Sequence, residues 1–204
     1  MLIKGRKAVI FCLVLIGFML FSQNLQAKTK VSSQEIWWAL GHPFVAAKAK
    51  KISNRAIQIT DSMENAGVLK DRSGGQLDAF KHALWMAMMS QHIKVKKLRK
   101  LGLAHERFNY RQAKKGKGGG DKVASDMDLW NNEVGLKIGG ANKTLTESEL
   151  IDMLIKAVNQ GEMRIIKKNR QGEFLNLDGQ LIDNSTLKTW VNKRCLVPSD
   201  YRYN

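Results

Sequence analysis

The chain has 204 residues, 44% hydrophobic and 25% charged, and its 34 Lys and Arg against 18 Asp and Glu give a formal net charge of +16. That length fits one globular domain with small additions. The apolar share is enough for a core, which excludes global disorder, and two prolines with no glycine period exclude collagen-like and low-complexity classes. The positive charge favours an anionic partner, whether nucleic acid, lipid headgroups or wall polymers, without choosing among them.

Lys4, Arg6 and Lys7 precede an apolar run from Ala8 to Phe21, and a polar stretch then ends in the small residue Ala27. This order predicts a signal peptide over residues 1–27, cleaved near Ala27, and hence a periplasmic or secreted protein. An uncleaved membrane anchor is the alternative, although the run is short of the roughly 20 apolar residues a spanning helix needs. Export leaves chromosomal DNA and ribosomes behind. The expected partner is therefore an anionic envelope component, lipid headgroup or wall polymer, and no specific nucleic acid is expected. Cys195 is the one cysteine after residue 27, so no internal disulfide is expected in the exported chain.

Residues 28–161 read as a mainly α, single helical domain of about five to six helices. Ser32-Ser33-Gln34-Glu35 has the capping-box pattern of a short first helix. Pro43 opens the next, with Val45, Ala49, Ile52, Ala56, Ile59 and Met63 recurring every three or four residues and Gly67 as the stop. The loop 71–75 leads into a helix over 76–91 that is apolar around most of its circumference and should be central. Residues 94–100 read as a basic linker before a helix holding Leu101, Ala104, His105 and Phe108. After the Lys/Gly stretch 114–120, a helix runs from Lys122 to about Ile138, where Gly139-Gly140 should end it. Thr146 to Glu149 is a second capping box. Residues 162–204 form a C-terminal hairpin and tail. The small β-hairpin should pair 163–166 with 173–177, and a short helix should run from Ser185 to Trp190.

Three of the predicted helices carry polar turns inside apolar patterns. Asp78 and His82 lie one turn apart, so the carboxylate can orient the imidazole. His105 and Glu106 form the second turn. Asp128 and Asn132 form the third, with Gly135 on the same face, where another backbone or a ligand could approach closely. Buried polar groups need partners, so the three turns are expected to meet. The cluster could be a structural hydrogen-bond network that fixes helix register, or a site. As a site, its catalytic candidates are Asp78, His82, His105, Glu106, Asp128 and Asn132, acting as general acid and base or as ligands to a divalent metal such as zinc. His82, His105 and Asp128 are the candidate metal ligands, although no H-E-x-x-H spacing is present. No G-x-S-x-G elbow and no Walker phosphate loop occur.

Asp78-Ala79-Phe80-Lys81-His82-Ala83-Leu84-Trp85, Ala104-His105-Glu106 and Met127-Asp128-Leu129-Trp130-Asn131-Asn132-Glu133-Val134-Gly135 resemble, in that order, an uncharacterised bacterial domain family. Many of its members are exported, and some look like terminal domains of secreted toxins. The resemblance spans about residues 35–160 and implies a site on these motifs more than a particular reaction. Lys81 stands where the family usually has Arg, a point charge in place of a bidentate anion binder. Trp130 replaces a smaller polar or aromatic residue. Lys81, Trp85 and Asn131 are the candidate substrate-binding residues. The expected function is an envelope-acting hydrolase of lipid or peptidoglycan-related substrates. The alternative is a non-enzymatic periplasmic binding or accessory protein with a structural polar network.

Overall fold

A computed structural model describes residues 43–118 and 120–202. The expected signal peptide, the Ser32–Glu35 capping box and the short first helix lie outside the described residues. The protein is mainly helical. The described helices are α1 (Pro43–Asn65), α2 (Gln76–Ser90), α3 (Val95–Lys114), α4 (Lys122–Ala141) and α5 (Glu147–Asn159). Strands β1 (Arg164–Ile166) and β2 (Leu196–Pro198) follow, with a 3-10 turn at Asn184–Lys188 between them. Among the described residues no helix is long and apolar enough to cross a membrane.

α2 is the axis of the fold. Leu77, Ala79, Phe80, Ala83, Leu84, Met86, Ala87 and Met89 are all buried, so it is apolar on nearly every side and packs against every other described helix and β1. One core cluster joins α2 to Ala56 and Ile59 of α1, Leu150 and Leu154 of α5, and Ile165 of β1. A second joins Met86 and Met89 to Ala49 and Ile52 of α1, Leu98 and Leu101 of α3, and Leu136 of α4. The expected Thr146 capping box is present: the Glu149 amide donates to Thr146 Oγ1 at 3.3 Å, and the Thr146 amide donates to Glu149 Oε2 at 2.9 Å.

Three local expectations are corrected. First, residues 95–100 are not a linker but the opening turns of α3, where the Arg99 Nε donates to Glu133 Oε2 on α4 at 2.8 Å. Secondly, α4 does not stop at Ile138; it runs through Gly139 and Gly140 to Ala141. Gly135 and Gly139 face α2 so closely that a Cβ would stand 2.0 Å from the Ala83 carbonyl oxygen and 2.1 Å from that of Ala87. Here glycine serves backbone-to-backbone packing and does not end the helix. Thirdly, 163–166 does not pair with 173–177. β1 pairs antiparallel with β2, in the register Arg164–Pro198, Ile165–Val197 and Ile166–Leu196. The segment 173–177 turns back on 168 and 181 through isolated bridges at Lys168–Phe174 and Leu175–Leu181. Between Ser185 and Trp190 only the 3-10 turn forms, capped by Asp183.

Candidate functional site

The three polar turns meet. The mid-helix His82 of α2 places Nε2 3.3 Å from Asp128 Oδ1 of α4 and 3.7 Å from Asp78 Oδ1 one turn back on its own helix. Asp78 is held on both oxygens. The Lys81 ammonium contacts Oδ1 at 2.5 Å, and the Gly74 amide donates to Oδ2 at 2.8 Å. Gly74 has φ +84° and adopts a conformation that favours glycine; its carbonyl accepts from the Ile166 amide at 2.7 Å. The loop ahead of α2 is thus pinned to β1, and that fixes where Asp78 sits. The side chains of His82, Asp78 and Asp128 are 11%, 14% and 15% exposed, and Lys81, at 34%, marks the open side.

Burial and charge set the protons. Burial pushes the His82 imidazole down to about 3; the Lys81 and His105 charges push the same way, while Asp78 and Asn132 oppose them. Burial raises Asp128 well above the carboxylate range, reinforced by the negative charges of Glu106 and Asp78. At Asp78 burial also pushes upward, but Lys81, His82 and the Gly74 amide outweigh it and hold the group below its ordinary value. At neutral pH the imidazole is neutral and Asp78 ionised, while burial shifts Asp128 toward its protonated form. The Asn132 side chain lies beside the ring, yet His82 Nδ1 and Asn132 Oδ1 are each buried without a hydrogen bond, so the approach is looser than one.

The other candidates divide. His105 is near enough for its charge to oppose protonation of His82. Glu106 is buried and accepts from Ser125 Oγ and from Asn109 Nδ2, the latter at 3.2 Å. Its charge also acts on Asp128, where it favours the protonated form. Trp85 donates its Nε1–H to Ser53 Oγ at 2.6 Å and packs against both core clusters. Asn131 is fully buried and clamps β1: its Nδ2 donates to the Arg164 carbonyl at 2.8 Å and its Oδ1 accepts from the Arg164 amide at 2.9 Å. Its hydrogen-bonding groups are used in holding the fold.

Two positions were not singled out from sequence. Ser125 and Asn109 support Glu106, and both carried a signal, each lying three residues from a motif residue on a shared helix face. The ion pair of Lys168 Nζ with Asp71, at 2.6 Å, carried none, because 97 residues separate the partners.

A divalent ion was expected on His82, His105 and Asp128. Among the described residues no group of three His, Cys, Asp or Glu side chains is placed to hold a metal ion. The Lys81 ammonium on Asp78 also disfavours a cation here. These residues do not fit a metal.

The fold and the centre together define a small helical protein with a half-closed imidazole–carboxyl cluster shared by three helices. Residues 36–162, more than half of the chain, match the family described as Domain of unknown function (DUF6973), and the chain belongs to that family. No curated protein and no solved structure matches the chain.

Proposed function

We propose that the protein is an exported hydrolase acting on an anionic component of the cell envelope, with His82 and Asp128 as its acid–base pair. The observation that carries this reading is the pair itself: a neutral imidazole 3.3 Å from a carboxyl whose burial favours its protonated form. One group can take a proton while its neighbour gives one. Water loses a proton to His82 and its oxygen adds to the electrophilic centre of the substrate. The bond to the leaving group breaks as Asp128 protonates that group. Transfer of the proton from His82 to Asp128 then restores the starting state. Asp78, fixed by Lys81 and Gly74, stabilises the imidazolium formed on the way. The exposed side of Lys81, in a chain of formal charge +16, supports an anionic substrate.

Turnover of extracted envelope lipids and wall fragments tests the reading. His82→Ala should lower the rate by about 100-fold or more while the variant stays folded by circular dichroism. Wild-type turnover in the folded variant overturns it. A second reading, a non-enzymatic periplasmic accessory protein, is favoured by the slight exposure of the cluster. In that case no substrate turns over, and His82→Ala costs roughly 1–3 kcal/mol of stability through the partners it strands.

A further inference from the structure

A cleft of about 230 Å³ opens between α3 and α4 on the side of Asn132. Its lining is mainly apolar, from Met86, Leu98, Leu129 and Leu136, and also includes Asn132 and the Arg99–Glu133 ion pair. Asn132 is 5% exposed. Its Nδ2 is turned towards Gly102, 3.2 Å from where a Cβ on that residue would stand, and the same Cβ would lie 3.3 Å from the Met86 methyl. Gly102 therefore keeps the cleft open beside the amide. Oδ1 is buried without a hydrogen bond and can only accept, so Nδ2 is the atom of this amide that can serve a carbonyl. One residue joins the two features: Asn132 lines the cleft and also lies against His82.

We propose that this cleft is an acyl subsite, which takes the alkyl chain of an acyl ester or amide and sets its carbonyl oxygen on Asn132 Nδ2. The volume is below the roughly 300–1,000 Å³ of a whole small-molecule site, so it holds part of a ligand. At about 30 Å³ per methylene-sized group, as for a water in the liquid, it takes about seven carbons. The turnover part of the proposal rests on the hydrolase reading; binding does not. In turnover, the water deprotonated by His82 adds to the held carbonyl carbon, and the developing oxyanion is stabilised by the Asn132 N–H. The C–O or C–N bond then breaks, and the leaving oxygen or nitrogen takes the proton of Asp128, giving a carboxylic acid and an alcohol or amine.

Straight-chain methyl ketones test the subsite without being hydrolysed. Titrated into the ¹⁵N-labelled protein, they should move the Asn132 side-chain amide signals. Affinity should rise by about fourfold per methylene, the increment for burying one, and level off near about seven carbons. Gly102→Leu, which fills the cleft, should weaken binding by about tenfold or more. Leu103→Lys, at an exposed rim position where folding is not at stake, should weaken it several-fold. An unmoved Asn132 amide, affinity independent of chain length, or wild-type binding by Leu103→Lys overturns the subsite. Hydrolysis of a short-chain acyl ester that Gly102→Leu leaves unchanged would remove the subsite and keep the hydrolase. Ketone binding as described, in a protein whose His82→Ala variant turns over like wild type, would keep the subsite and remove His82 from the hydrolase reading.

Discussion

At the residue scale, one proton shared by His82 and Asp128 makes stability depend on pH in a defined direction. In the unfolded chain the two groups titrate near 6.5 and 3.8. In the folded chain His82 is held near 3 and Asp128 well above its ordinary value, so the two shifts act in opposite directions on stability. Above 3.8 the unfolded pair holds its proton on His82 and the folded pair on Asp128, so the two shifts offset each other until Asp128 ionises in the fold or the pH passes 6.5. Below 3.8 the unfolded chain holds two, so stability falls as pH falls; the depressed Asp78 adds to that loss. Once the unfolded His82 has lost its proton above 6.5, any proton the fold still holds on Asp128 makes stability fall as pH rises, by up to about 1.4 kcal/mol per unit. Asp128→Asn removes the titrating carboxyl but keeps the shape. Urea unfolding upward from pH 3.8 should therefore show stability rising more steeply for the variant than for wild type, in which the raised Asp128 offsets the His82 gain. Equal slopes would mean that Asp128 is ionised in the fold.

At the element scale, the contact between α2 and α4 positions His82 against Asp128, and it depends on two glycines. Gly135→Ala and Gly139→Ala put a methyl inside the backbone of α2. Each should cost roughly 2–3 kcal/mol or prevent folding, more than the gain of about 1 kcal/mol in helix propensity returns. Gly140→Ala is the control. Its Cβ would sit 3.4 Å from Val95 Cγ2, an ordinary contact, so thermal melts should find it neutral or stabilised by up to about 1 kcal/mol. The segment beyond the matched residues 36–162 is also needed. Met163, Ile165 and Ile166 are buried, and the Ile166 amide and Lys168 fasten the loop ahead of α2. Burying three such side chains contributes about 5–9 kcal/mol, comparable with the whole stability of a small domain. A chain ending at Glu162 should show no cooperative unfolding transition; a two-state melt near the wild-type temperature would contradict this.

At the scale of the whole molecule, the positive charge should govern encounter with an anionic surface. Lys96 and Lys100 are exposed on the opening turns of α3, beside the Arg99–Glu133 pair at the cleft. Exposed charges are screened beyond about 8–10 Å near physiological ionic strength. Binding to phosphatidylglycerol vesicles should weaken several-fold between low salt and about 0.5 M, and Lys96→Glu with Lys100→Glu should reproduce most of that loss at low salt. Salt-independent sedimentation with the vesicles would show that the charge plays no part in docking.

The sequence alone determined what depends on local spacing. The 3.6-residue period and the Thr146–Glu149 cap placed the helices, because amphipathic faces and capped ends are written within a turn or two of chain. The polar turns at Asp78–His82, Glu106 and Asp128–Asn132 were legible for the same reason, and so was the need for them to meet. The tertiary structure decided what depends on distant partners. Gly139 looks like a helix stop until the Ala87 carbonyl lies against it, and Asn131 looks like a ligand-binding residue until β1 takes both ends of its amide. The strand at 164–166 chose 196–198 over its nearer neighbour. One of its sides is already bonded to Gly74 and Asn131, and only the C-terminal tail reaches the other. The proton balance of the centre was decided there too, since burial, absent from any motif, is the first cause of the shifts at both His82 and Asp128.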